Sequence, residues 1–146
     1  MTRNAKRTLG FSAKEWADAR EALLSMLVDA AVSRSTVTYG EVARRAFGGR
    51  VSARSSALMD LLGEVDSALD VERGIMIASL VVRVDTGMPG EGYFHFAAEE
   101  LGRSVDHPRA FWQAEVERVW DAYGTERTAA PATASSSSNL ASLAAR

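Results

Sequence analysis

Apolar residues in the first part of the chain recur at the spacing of a helix with one buried face. Trp16, Leu23, Leu27 and Ala30 form that stripe, with Leu24 and Ala31 beside them. Ser12 followed three residues on by Glu15 is a capping-box signature, and Phe11 and Trp16 stand where a hydrophobic staple sits, so the pattern predicts a helix over 13–32. The polar break Ser33-Arg34-Ser35 leads into a short β-prone run, Thr36 to Tyr39. Thr38 and Glu41 repeat the capping-box spacing ahead of a short helix over 40–47, which Gly48-Gly49 ends. Ser52 is placed to cap a further helix over 53–63, with Leu58, Leu61 and Leu62 facing inward. Two short helices joined by a tight glycine turn resemble a helix-turn-helix.

Ile75 to Val82 is apolar apart from Ser79 and rich in β-branched residues, which predicts a buried strand. Thr86 to Gly92 is dense in turn formers and reads as a tight loop. Tyr93 to Phe96 surrounds His95 with aromatic rings, and a short helix is expected over 97–101. Pro108 suits the first turn of a last helix whose stripe is Trp112, Val116, Val119, Trp120 and Tyr123, with Gly124 as its stop, and this helix should pack on the first. From Thr125 onward the chain is mainly Ala, Ser and Thr, with Pro131 and four consecutive serines, a composition too polar to offset its ordering entropy. The expected organisation is a basic flexible segment over 1–10, a domain over 11–124 and a disordered tail over 125–146. The domain is expected to be α+β and winged-helix-like, with a helix-turn-helix, one buried strand or small sheet, and long N- and C-terminal helices.

Charge changes this picture locally. Residues 1–10 carry three bases and no acid, whereas residues 11–124 carry twelve bases against eighteen acids. A broad polyanion-binding surface is excluded, because phosphate affinity rises with the number of Lys and Arg contacts. One stretch runs the other way: Arg44, Arg45, Arg50 and Arg54 fall between Val42 and Met59 with no acid among them, and Asp60, Glu64, Asp66, Asp70 and Glu72 follow. The arginines either form a compact phosphate-binding face, with Arg54 reaching base edges or filling a flipped-base gap, or are solvated charges paired with Asp60, Glu64 or the acidic stretch that follows. Arginine outnumbers lysine fifteen to two, a bias expected of a GC-rich bacterial genome.

The 146 residues include no cysteine, which closes disulfides, thiolate metal sites and thiol nucleophiles together. His95 and His107 lack the spacing of a zinc pair, adjacent Glu99 and Glu100 point in different directions, and no Walker, Rossmann or Gly-x-Ser-x-Gly pattern is present. The loop Gly87 to Gly92 has backbone amides suited to an anion, but Glu91 opposes a phosphate. No cofactor or metal is expected. No apolar run is long enough for a signal peptide or a membrane span, so a cytoplasmic, non-membrane protein is expected.

The order of first helix, Thr38-Tyr39-Gly40-Glu41-Val42-Ala43, arginine-bearing helix pair, buried apolar run and glycine loop ending in Tyr93 resembles the DNA-binding domain of the alkylguanine-DNA alkyltransferases and their cysteine-lacking alkyltransferase-like relatives. The likeness covers Ser12 to Tyr93. It implies that Tyr39 and, with a one-residue shift, Arg54 act on a flipped nucleotide. Where the family carries Pro-Cys-His-Arg, this chain has Ile77-Ala78-Ser79-Leu80, and its loop before Tyr93 is two residues longer. The resemblance therefore implies no alkyl transfer. Gly74 to Val82 and Pro89 to Phe94 also look like a group of small bacterial proteins with no activity attached.

Two functions follow as expectations. One is a non-enzymatic module that binds double-stranded DNA or senses its lesions through Tyr39, Arg44, Arg45, Arg50 and Arg54. The alternative is a protein-interaction or regulatory module on the same fold. An enzyme built on His95 with Glu99 or Glu100 is disfavoured by the lack of an orienting partner.

Overall fold

The computed structural model describes residues 10–129. The expectations for segment 1–10, apart from Gly10, and for the tail from 130 onward lie outside the described residues. Within them the protein is mostly helical with a two-stranded sheet, an α+β arrangement.

Helix α1 spans Ala13–Val32, and the Ser12–Glu15 capping box forms in both directions, at 3.0 Å and 2.8 Å. The expected stripe is buried, and Phe11, Trp16 and Phe47 pack their rings with centroids 4.9 to 6.4 Å apart. Strand β1, Val37–Thr38, runs straight into α2, Tyr39–Phe47, whose capping box joins Thr38 and Glu41. Gly48 and Gly49 then take left-handed backbone, φ 61° and 85°, which a side chain at either position would strain.

The connection that follows is longer than the expected tight turn. Ser52 binds the amide of Arg54 instead of capping a helix; the cap is Ser55, and α3 spans Ser56–Arg73. This helix runs through Gly63 because the absent side chain makes room for a ring. A Cβ there would stand 3.2 Å from Phe96 Cε1. Packing thus outweighs the roughly 1 kcal/mol that glycine costs inside a helix.

The Ile75–Val82 run is buried throughout but is not one strand. Ile77–Leu80 winds into a 3-10 turn, and only β2, Val81–Val82, is extended, pairing in parallel with β1 in the register Val37 to Val81. The cause lies in where its backbone amides bond. Met76 N–H donates to Glu115 Oε2 and Ala78 N–H to Asp66 Oδ1, each at 2.8 Å. Two buried carboxylates take the place of a neighbouring strand in satisfying these groups.

Helix α4, Glu91–Glu99, absorbs Tyr93 to Phe96, which the sequence places before the helix. Helix α5 spans Pro108–Ala129, passing through Gly124, the expected stop, and overrunning the expected boundary at 125. It packs on α1 and on the 3-10 turn, as its stripe requires. The strands of the described residues are this parallel pair and not an antiparallel hairpin.

Candidate functional site

Tyr39 begins α2, where the Thr38 cap fixes the chain direction, and its hydroxyl accepts a 3.0 Å hydrogen bond from Gly90 N–H. Because that oxygen already accepts, its own O–H is left to donate outward. Burial raises the Tyr39 pKa and outweighs the Gly90 bond, so the hydroxyl keeps its proton at neutral pH.

The contact bridges the start of α2 to the loop over residues 83–90. Between them opens a cleft of about 540 Å³, walled by Tyr39, Gly40, Arg54 and Met59 on one side and by Val82 and Val84 on the other. The volume falls within the roughly 300–1,000 Å³ typical of ligand clefts. The loop is internally fixed: Arg83 N–H bonds Met88 O, Gly87 N–H bonds Arg83 O, and Thr86 Oγ1 bonds the Met88 backbone. Arg83 grips Asp85 with two bonds, of 2.9 and 2.7 Å, and this hydrogen bonding holds the Asp85 pKa down to about 2. Its charge is therefore spent locally.

The four arginines divide. Arg54 sits exposed on the cleft wall with Tyr39, and Arg44 runs back along α2 so that its Nη1 lies 3.7 Å from where a Cβ on Gly40 would stand. Arg45 is exposed in the last turn of α2. Among the described residues none of these three guanidinium groups forms an ion pair. Arg50 stands apart from the other three. It binds Glu15 at 3.1 Å, donates to Gly10 O and lies 4.3 Å over the Phe11 ring. It locks the α2–α3 connection to the start of α1 and is absent from the cleft wall. The expected alternative pairing with Asp60 or Glu64 is not what occupies it; Glu64 instead lies 2.9 Å from Arg20 Nε, at an angle that makes an ion pair but no hydrogen bond.

Replacing Arg50 with alanine is therefore expected to act on stability. The lost ring contact is worth about 0.5–1 kcal/mol at a half-exposed site, so thermal denaturation followed by circular dichroism should show Tm lowered by about 2–4 °C.

A second cleft, of about 780 Å³, lies among α1, α3 and α4 and meets the first at Tyr39, Met59, Gly92 and Tyr93. His95 and Glu100 stand on its wall, but no hydrogen bond joins them. Its most unusual residue is Asp66, 2 % exposed, which sequence reasoning passed over. The signal was available: Asp66 stands four residues after Leu62 and one after Val65, an acid set on the apolar face of α3. Burial is the main force pushing its pKa up to about 7, against the opposing Ala78 N–H bond and with help from Glu115. Nearby Tyr93 bonds Ser79 Oγ at 2.5 Å, and burial raises its pKa.

Among the described residues no cluster of His, Asp and Glu has the form of a metal site, and no described helix is long and apolar enough to cross a membrane. Comparison of the chain with family models, curated proteins and solved structures finds no match in any of the three.

Proposed function

We propose that the protein is a non-enzymatic DNA-binding module that senses lesions by holding an extruded base in the Tyr39–Arg54 cleft. One observation carries this reading: Tyr39 and Arg54, fifteen positions apart in the chain, line the same cleft beside Arg44, which forms no ion pair among the described residues. These are also the two residues that the alkyltransferase-like resemblance connects with a flipped nucleotide. In this reading the fold is winged-helix-like, with α2 and α3 as the helix pair and the 83–90 loop standing where a wing would.

Arg44 and Arg45 hold phosphates at the end of α2, and Arg54 enters the base stack from the α3 side. The Tyr39 hydroxyl donates to the extruded nucleotide. Extrusion costs a few kcal/mol, least at a damaged or mismatched pair, and that difference supplies the preference for lesions. Contact ends at the first turn of α3, since Asp60 and Glu64 would repel a groove farther along. With alanine at position 78 and no cysteine, nothing accepts an alkyl group.

The test is fluorescence anisotropy with a short duplex carrying a central alkylguanine, compared with the unmodified duplex at several salt concentrations. Arg44→Ala and Arg45→Ala should each reduce the slope of log affinity against log salt by about one unit, and Arg50→Ala should leave it unchanged. Arg54→Ala should lose about tenfold in preference for the modified duplex. Absence of binding at low salt overturns the reading. The acidic residues of α3 would then favour the second one, a protein-interaction module that meets a basic partner.

A further inference from the structure

We propose that the cleft among α1, α3 and α4 is a receptor for a flat organic cation with an amidine-type N–H edge, anchored on the Asp66 carboxylate. Asp66 lines the cleft although its side chain is almost wholly buried. Its Oδ1 accepts the Ala78 N–H, while Oδ2 takes no hydrogen bond among the described residues. That oxygen is not sealed inside the protein but opens on the cleft, so an ionised Asp66 is an almost wholly buried charge whose second oxygen can be served only from there. A donor entering from the cleft satisfies the ionised form.

The rest of the wall specifies what kind of donor. Trp16, Tyr93 and Phe96 supply aromatic surface, and the polar handles of the first two are already engaged, Trp16 Nε1 with Glu64 at 3.1 Å and the Tyr93 hydroxyl with Ser79. They offer area without competing for the ligand's hydrogen bonds. Asp60 and Glu100 add negative charge, while Glu64 and the guanidinium of Arg20 pair with each other. A flat cation fits such a wall and an anion is repelled.

Binding should follow the ionisation of Asp66. The groups acting on that carboxyl are Asp70 on its own helix, Arg103 before α5, Glu115 on α5, and the phenols of Tyr39 and Tyr93. His95 also stands on the cleft wall. With Asp66 titrating near 7, a cation that needs the carboxylate binds about thirtyfold more tightly at pH 8 than at pH 5.5.

The probe is benzamidine, titrated into the full chain and followed by the amide resonance of Ala78. Saturable binding with that pH dependence is expected, and benzoate, the same ring with opposite charge, should not bind. Asp66→Asn should weaken benzamidine at least tenfold and flatten the pH profile, whereas His95→Gln should keep the pH step. Binding that is absent at millimolar benzamidine, independent of pH, or unchanged in Asp66→Asn overturns the proposal. Should the Asn variant fail to fold, the wild-type pH profile and the benzoate comparison decide it alone. No DNA enters the assay, so its outcome is separate from that of the duplex experiment.

Discussion

Glu115→Ala should be the most damaging single substitution on α5, lowering stability by about 3 kcal/mol and Tm by roughly 10 °C, as read by thermal and urea denaturation. The Glu115 side chain is 3 % exposed and carries three jobs at once. Its Oε2 accepts the Met76 N–H at 2.8 Å, and its Oε1 receives both Arg103 Nη1 and Arg118 Nη1 at 3.2 Å. Arg103 in turn binds Asp70 on α3, and Arg118 Nη2 binds Gly74 O at 2.7 Å. Removing the carboxylate strands a fully buried amide, at a cost of about 1–3 kcal/mol, and leaves the Arg103 guanidinium, 18 % exposed, with one acid where it had two. The Asp70 contact that remains keeps the loss at the lower end for a broken buried pair. Glu115→Gln tests this division. It retains an acceptor for Met76 while giving up the charge, so its Tm should fall between wild type and Glu115→Ala; equal loss in both variants would place the whole effect in the ion pairs.

The same network explains which parts of the fold were readable along the chain. Helix α1 was legible from end to end because its cap, staple and stripe are local, each within a few residues of its partner. The Ile75–Val82 run was not, since its amides bond to Asp66 and Glu115, 12 and 39 residues away, and a periodicity argument sees only a β-branched apolar run. Gly63 and Gly124 read as helix ends for a related reason: the Phe96 ring that makes use of the first comes from another helix. At the site, the exposure of Arg44, Arg45 and Arg54 follows from their sequence neighbourhood, but the capture of Arg50 by Glu15 and Phe11 is tertiary. Nothing in the spacing of Tyr39 and Arg54 requires that they share a cleft.

Asp66→Asn should make the protein more stable than wild type at pH 8 while removing that advantage near pH 4. The sign comes from proton binding. The folded state holds the Asp66 proton with a pKa near 7, whereas the unfolded chain releases it near 3.8. Between those values the native state binds more protons, so this group's stabilisation is complete below about pH 4 and is lost as pH rises through 7. About three pKa units at 1.36 kcal/mol each give on the order of 4 kcal/mol as the upper limit of the swing. Asp85 and Glu15, whose carboxylates are held at lowered pKa, oppose this trend, but their contributions are already present above pH 4. Asparagine keeps a carbonyl for the Ala78 N–H and carries no charge to bury, so the difference in Tm between variant and wild type should widen by about 10 °C from pH 4 to pH 8. A constant difference across that range would mean that Asp66 is ionised in the native state throughout. Saturating benzamidine should narrow the gap at pH 8 by stabilising wild type alone, tying the orphaned oxygen in the cleft to the cost the fold carries for it.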